Sequence, residues 1–245
     1  MKNQGYLIAA ISAISYGLIP IFILPVQNAG LPLDNTLFYR FFISALFLLA
    51  YLVYKKENLA INLKEMGIMA ILGLLYAFAA DFLFIGYEYL TPGIASTIMF
   101  VYPVIVAIIM STIFKEKLTK LTIIALCLTF LGIVALSWKE SLSDISFFGI
   151  TVSLLCALFY GLYIIIVNKS KITFSSFKVT FYSLVFSSVY YFIKCIILGN
   201  SLAIDSVGTL FNLTLFSFVT TVISMLALVY AIQLIGSTPT SIMGA

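Results

Sequence analysis

The sequence predicts an all-α, polytopic helical membrane protein, and two properties of its composition predict it. Of the 245 residues, 63% are hydrophobic and 9% are charged, whereas about 25% of the residues in a typical soluble domain are charged. Uncharged apolar stretches of about 20 residues, the length of helix that crosses the hydrocarbon core of a bilayer, recur along the chain. Such a chain has too few polar residues to cover a water-exposed surface, which excludes a soluble fold.

The positions of the charged and turn-forming residues divide the chain into membrane-spanning helices. The predicted spans are 6–24, 35–54, 66–87, 94–113, 121–138, 147–167, 176–198 and 208–232, with a ninth helix starting near Pro239. Pro20, Pro103 and Pro239 are expected to kink helices, because proline removes a helical hydrogen bond. The kinks could free backbone carbonyl groups to face a cavity or could be ordinary packing kinks. The connecting segments are short and polar, so the helical bundle itself must carry the function.

The basic residues predict the orientation of the bundle. Ten lysines fall near span ends on one side of the membrane, whereas Arg40, Lys139 and Lys194 remain for the other. Lys and Arg near span ends favour the cytoplasmic side, so the N-terminus is predicted to be cytoplasmic, in a plasma or inner membrane. Topology therefore accounts for the net charge of +4, and lysines scattered over several small loops give no nucleic-acid signal.

Two parts of the sequence resemble each other at an offset of 144 residues. AISYGLIPI from Ala13 aligns with ALFYGLYII from Ala157, and LTPGIASTIM aligns with LIGSTPTSIM. This register predicts two units, 1–143 and 144–245, and the five spans of the first make the second enter the membrane from the opposite face. Inverted repeats are typical of secondary transporters; a duplication that only builds a symmetric bundle is the alternative.

The same register predicts where the second unit is incomplete. It would continue to the counterpart of Trp138, whereas the sequence stops at the counterpart of Val101. The chain is therefore expected to represent a ten-helix protein whose C-terminal helix or helices are missing.

Three segments carry a resemblance to a known family. They are NTLFYRFFISALFLL, LTPGIASTIMFVYPVIVAIIMSTIFKEKLT and LTIIALCLTFLGIVALSW. On these segments the chain resembles the EamA type of drug/metabolite transporter. The resemblance implies ten helices in two five-helix repeats, and export or import of a small metabolite, such as an amino acid, through a central cavity. Helices one to four and six to nine would surround that cavity.

The third predicted span has one carboxylate, Asp81, in its middle. At 1.5 Å per residue Asp81 lies about 22 Å along the helix from Met66, where an ionised Asp costs roughly 2.5 to 3.5 kcal/mol. Arg40 is predicted to lie at a similar depth in the second span and to pair with it. Two interpretations stay open: a structural ion pair that locks two helices, or a buried carboxyl group that exchanges a proton coupled to transport.

Hydroxyl and aromatic side chains are the candidates for substrate contact. Tyr16 and Tyr160 are related by the repeat register, so they are expected at equivalent depths facing a central cavity. The further candidates are Tyr76, Thr97, Tyr102 and Tyr230. Each tyrosine alone could instead belong to the aromatic belt at a membrane surface.

Other classes of protein find less support in the sequence. There is no histidine, and three isolated cysteines make neither a disulfide framework nor a metal cluster, so no metal or cofactor is predicted and an intramembrane enzyme is disfavoured. No G-x-x-x-x-G-K motif occurs, which argues against ATP as the energy source. The sequence does not exclude a channel or an assembly scaffold.

The predicted partners are a small-molecule substrate and the lipid bilayer. A proton or counter-solute and a second copy of the chain in a homodimer are further possible partners.

Overall fold

The computed structural model describes residues 2–137, 146–170, 174–204 and 206–244. Within these ranges the chain is helical and has no strand, which confirms the predicted all-α class. The helices are α1 (Lys2–Gly17), α2 (Ile19–Asn28), α3 (Leu33–Tyr54), α4 (Leu63–Tyr89), α5 (Pro92–Met99), α6 (Tyr102–Thr112), α7 (Lys120–Ser137), α8 (Phe147–Lys169), α9 (Ser176–Ile197), α10 (Val207–Ser217), α11 (Ser224–Ile235) and α12 (Ser237–Met243). The predicted boundary between the two units, together with Lys139 and Lys171, lies outside the described residues.

Seven helical segments of the described ranges are long and apolar enough to cross a membrane. They are Asn3–Ile23, Leu33–Tyr54, Leu63–Tyr89, Pro92–Thr112, Phe147–Lys169, Ser176–Ile197 and Val207–Ile235. Helix α7 occupies the position of the fifth predicted span. The predicted spans are thus confirmed to within about three residues at each end, and the chain is a multi-pass membrane protein.

Three spans contain a break in regular α-helix. The first span breaks at Leu18 and the fourth at 100–101, in each case two residues before a proline, Pro20 or Pro103. Proline lacks the N–H group that would bond to the carbonyl four residues earlier. The third break is a π-helical segment at Phe218–Ile223, between α10 and α11, and no proline accompanies it.

The bundle is built around two long central helices, α3 and α4. Helix α4 packs against α8 and α9, α3 packs against α9 and the α10–π segment, and α1 packs against α11. The loop before α4 is closed by a capping box, in which the Asn62 side chain accepts from the Glu65 N–H group at 2.9 Å and the Glu65 carboxylate accepts from the Asn62 N–H group at 2.8 Å. This arrangement satisfies donors that a helix start otherwise leaves unpaired.

Helix α9 holds the α3–α4 loop at one end of the bundle, termed here the N-terminal face because α1 begins on it. Near the start of α9, Lys178 Nζ donates to the carbonyl groups of Asn58 at 2.7 Å and Ala60 at 2.8 Å. One turn later the Tyr182 hydroxyl donates to the carbonyl of Leu59. The start of α9 therefore lies beside the end of α3.

Helix α3 makes the matching contacts at the opposite face. Near its start, Asn35 Nδ2 donates to the carbonyl of Ser201 at 2.5 Å. One turn later the Tyr39 hydroxyl donates to the carbonyl of Leu202, in the loop between α9 and α10. Because each helix starts where the other ends, α3 and α9 run antiparallel.

Candidate functional site

Four tyrosines from four different spans meet in the centre of the bundle. Tyr16 of α1 and Tyr160 of α8 have ring centroids 5.7 Å apart, and Tyr76 of α4 lies 6.4 Å from Tyr160. Tyr102 of α6 meets the Tyr160 ring edge-on at 4.9 Å. The structure brings these four candidate residues together, and the group is called the tyrosine centre below.

Two small cavities adjoin the contact between Tyr16 and Tyr160. The lining of the first includes Ser12, Met99, Tyr102 and Leu228, and that of the second includes Arg40, Tyr76, Leu83 and Phe84. Each has a volume of ≈ 10 Å³, about the space of one water molecule. The centre is closed to a metabolite in this conformation, so binding requires the surrounding helices to separate.

Helix breaks lie next to these cavities. Pro20 cannot donate to the carbonyl group of Tyr16, and Pro103 cannot donate to that of Met99. The side chains of the same two residues are in contact, with the Tyr16 hydroxyl donating to Met99 Sδ at 3.6 Å. The spans that supply Tyr16 and Met99 are therefore interrupted where they line the centre, which makes these spans easier to bend there.

Arg40 lies in the second cavity, away from Asp81. Its side chain is buried, Nε donates to Thr221 Oγ1 at 2.6 Å, and Nη2 donates to the carbonyl of Thr220 at 3.4 Å. The guanidinium also lies over the ring of Phe216, 4.8 Å from its centroid. The predicted Arg40–Asp81 ion pair is therefore wrong: Arg40 faces the span of α10 and α11, whereas Asp81 faces α9.

Asp81 instead receives three hydrogen bonds from α9. Oδ1 accepts from the Tyr191 hydroxyl at 2.8 Å and from Lys194 Nζ at 2.9 Å, and Oδ2 accepts from the Tyr190 hydroxyl at 2.6 Å. Lys194 Nζ also lies 2.8 Å from Asp34 Oδ1, at the start of α3. The ion group Asp34–Lys194–Asp81 thus joins α3, α4 and α9 towards the opposite face.

Sequence reasoning missed Lys194, Tyr190, Tyr191 and Asp34 as partners of Asp81. One signal was present: Tyr190, Tyr191 and Lys194 are spaced three and four residues apart, so a single face of α9 carries all three. The signal does not say which helix that face contacts. Two carboxylates share one ammonium in this group, so it retains a net charge of −1 when all three are ionised.

The remaining two candidates lie apart from the tyrosine centre. Thr97 is buried in α5, and neither of the two central cavities includes it in its lining. Tyr230 is 46% exposed and lines an open groove of ≈ 900 Å³ between α1, α3, α9 and α11. Tyr230 follows the π-helical segment, and the extra residue in a π-helical turn rotates the residues after it to a different face of the span.

Among the described residues no group of three His, Cys, Asp or Glu side chains is placed to hold a metal ion.

The fold, the apolar spans and the tyrosine centre define a helical multi-pass membrane protein with its polar groups turned inwards. The model of the EamA-like transporter family matches residues 3–138, more than half of the chain. The chain therefore belongs to the EamA-like transporter family, and it is a transporter-like membrane protein.

Comparison with solved structures agrees with this fold. One crystal structure of a protein matches with a TM-score of 0.73 and 12% sequence identity, over 98% of this chain and 86% of that chain. At this identity the likeness shows the fold alone. No curated protein matches the chain.

Proposed function

We propose that the protein is a secondary active exporter of a small metabolite, such as an amino acid or a related amphipathic solute. Transport proceeds by alternating access around the tyrosine centre, in a plasma or inner membrane with the N-terminus in the cytoplasm. The observation that carries the proposal is the convergence of four tyrosines from four spans on two closed cavities, in a chain of a transporter family. A centre too small for a solute has to open to bind one.

We also propose that units 1–143 and 144–245 form an inverted repeat. The bonds Tyr39 to Leu202 and Tyr182 to Leu59 support this, because donors and acceptors are each 143 residues apart and the bonds lie at opposite faces. The antiparallel course of α3 and α9 is the polarity that an inverted pair requires. The spacing of 143, against 144 in the register of α1 and α8, means that one residue fewer separates Tyr160 from Tyr182 than separates Tyr16 from Tyr39.

A further pair of equivalent hydrogen bonds supports the same relation deeper in the membrane. Ser44 Oγ of α3 donates to the carbonyl of Ser217 at 3.1 Å, and Ser187 Oγ of α9 donates to the carbonyl of Gly73 at 2.8 Å. The acceptors are 144 residues apart and the donors 143. Bonds that repeat in this way give the two units equivalent packing, which is what alternating access needs.

Asp81 is the coupling residue in this proposal. Its three donors all belong to α9, so separation of α4 from α9 removes all of them in one step. An ionised carboxylate left without donors at membrane depth is costly, and the carboxyl group then takes up a proton. Helix separation and proton uptake are thereby linked. In the predicted orientation the group lies towards the outside, where an inward proton gradient would drive export.

Flux measurements on purified protein in proteoliposomes test this function. Radiolabelled amino acids are the probes, and the wild type is expected to show saturable counterflow and uptake driven by a pH gradient. Asp81→Asn should retain counterflow and lose the response to the gradient, because the amide cannot exchange the proton. Glu88→Gln is the matched control, since Glu88 is an exposed carboxylate on the same helix.

The two parts of the proposal fail separately in this experiment. Absence of saturable counterflow in the wild type with every amino acid would overturn transport of this substrate class. A normal gradient response in Asp81→Asn, with counterflow intact, would show that Asp81 has a structural role only.

A further inference from the structure

We propose that Arg40 binds the carboxylate group of the transported solute, so that the substrates are carboxylate-bearing solutes of the amino-acid type. This inference rests on the proposed transport function and names the substrate class of the same central site. It follows from three properties of Arg40: its uncompensated charge, its free donors and its neighbours.

Arg40 is a buried cation without an acidic partner in the described part of the chain. It is the single arginine of the sequence and is 2% exposed. Arginine stays protonated in proteins, and a charge at membrane depth is costly unless an opposite charge or strong dipoles surround it. Within the described ranges both ion pairs are made by Lys194. The two hydrogen-bond partners of Arg40, a threonine hydroxyl and a backbone carbonyl, are neutral.

The described carboxylates are all engaged or placed elsewhere. Asp34 and Asp81 contact Lys194, Glu57 accepts from Ser175, Glu65 belongs to the capping box of α4, and Glu88 and Glu116 are exposed at the ends of spans. Among the described residues, the positive charge of Arg40 is therefore not balanced by a carboxylate, and an anionic group that enters the cavity can balance it.

The guanidinium also has N–H groups that can donate to a ligand. It carries five N–H groups in a planar fork, of which Nε makes a short bond at 2.6 Å and Nη2 a long one at 3.4 Å. A bond of that length is weak, so the Nη1 and Nη2 end of the fork can turn to a better acceptor. A carboxylate matches that end with two parallel hydrogen bonds.

The surroundings of Arg40 suit the rest of an amino acid. Tyr16, Tyr76 and Tyr160 line the same cavity and offer aromatic faces to an apolar side chain. Such faces also attract an ammonium group through the negative potential of the ring. A solute with both charges would therefore hold its carboxylate at Arg40 and its ammonium against the tyrosine rings.

Binding measurements on the purified 245-residue chain in detergent test the assignment. The probes are the standard amino acids, each matched with its amide, which keeps the side chain and the ammonium and lacks the carboxylate. Thermal-shift titration gives the affinity, because a ligand of the folded state raises its apparent stability. We expect at least one amino acid to bind the wild type and its amide to bind roughly 10-fold or more weakly, as loss of charge-assisted hydrogen bonds predicts.

Three variants separate a carboxylate site from a structural arginine. Arg40→Gln is expected to bind the amino acid and its amide equally weakly, while Lys64→Gln, which changes an exposed lysine of α4, should bind as the wild type does. Thr221→Val keeps the guanidinium and removes its strongest partner, so it tests the assignment even if Arg40→Gln does not fold. We expect it to preserve the preference for the amino acid over the amide.

Any of three results would overturn the inference. One is equal affinity of the wild type for amino acids and their amides, which would still leave transport of amphipathic solutes standing. Another is loss of the preference in Thr221→Val, since an arginine that selects a carboxylate directly should not need that hydroxyl. Binding of no carboxylate-bearing probe by the wild type would overturn it as well, and flux of the amides in proteoliposomes would show whether transport itself survives.

Discussion

Gly73→Ala is expected to weaken the contact between α4 and α9. A Cβ atom at Gly73 would lie 2.5 Å from Cβ of Phe186 and 2.7 Å from the carbonyl oxygen of Ser183. Neither atom belongs to the flexible end of a side chain, so neither can move aside alone. Carbon atoms in favourable contact are about 3.5 to 4.0 Å apart, so the helices would have to separate locally by about 1 Å.

The expected loss of stability combines three effects. Overpacking of a tight contact costs about 1 to 3 kcal/mol, and the interhelical bond from Ser187 to the Gly73 carbonyl, 2.8 Å long, contributes about 0.6 kcal/mol in a typical membrane protein. Alanine in place of glycine inside a helix offsets this by about 1 kcal/mol. The net destabilisation should therefore be about 1 to 2 kcal/mol.

Equilibrium unfolding of the purified protein by increasing SDS in mixed micelles measures this difference. Gly67→Ala is the matched control, because Gly67 lies on the same helix and a Cβ atom there would meet nothing within 4 Å. The control should be unchanged or more stable by up to about 1 kcal/mol. Equal stability of the two variants would refute the close approach of α4 and α9.

Three further predictions use the same unfolding assay. Tyr39→Phe and Tyr182→Phe should each lower the free energy of unfolding by about 0.5 to 1.5 kcal/mol. The two losses should be similar, because each variant removes one of the two equivalent bonds to a loop; clearly unequal losses would argue against equivalent packing. Gly161→Ala should be as stable as the wild type or more stable by up to about 1 kcal/mol, because its Cβ atom would meet Val106, Tyr102 and Ile105 at ordinary distances of 3.4, 3.7 and 3.8 Å. Lys194→Met should cost about 1 to 3 kcal/mol, because Asp34 and Asp81 lose the cation that they share, and adding Asp81→Asn should recover part of that loss; additive losses would contradict the ion group.

The spans were predictable because their signal is local. Length and hydropathy fix where a helix can cross the bilayer, and each predicted span agrees with a helix of the structure. The convergence of Tyr16 and Tyr160 was predictable for a different reason: the repeat register places both residues at equivalent depths. Neither inference needs to know which helices are neighbours.

The partner of Asp81 was not predictable in the same way. Depth along a helix does not fix the face on which a residue lies, and Arg40 and Asp81, predicted at a similar depth, face different helices. Lys194 is 113 residues from Asp81 in the sequence, and only the packing of α4 on α9 brings them together. The π-helical segment at Phe218–Ile223 was not predicted either, because it contains no proline or glycine that would indicate a break in the α-helix.

The ion group makes the proposed repeat asymmetric, and this asymmetry bears on coupling. The loop contacts of α3 and α9 occur at both faces, so exchanging the conformations of the two units would break and form similar bonds. Two such states have similar free energies. Asp81 has no charged counterpart, since the sequence register of 144 pairs it with Met225, and Lys194 has none either, since the spacing of 143 between α3 and α9 pairs it with Tyr51.

An ion group present once therefore acts on one of the two states and not on the other. In the proposed cycle, the three hydrogen bonds between Asp81 and α9 stabilise the state in which α4 and α9 are in contact. Protonation of Asp81 would weaken those bonds and shift the population towards the other state, as any ligand with different affinities for two states does.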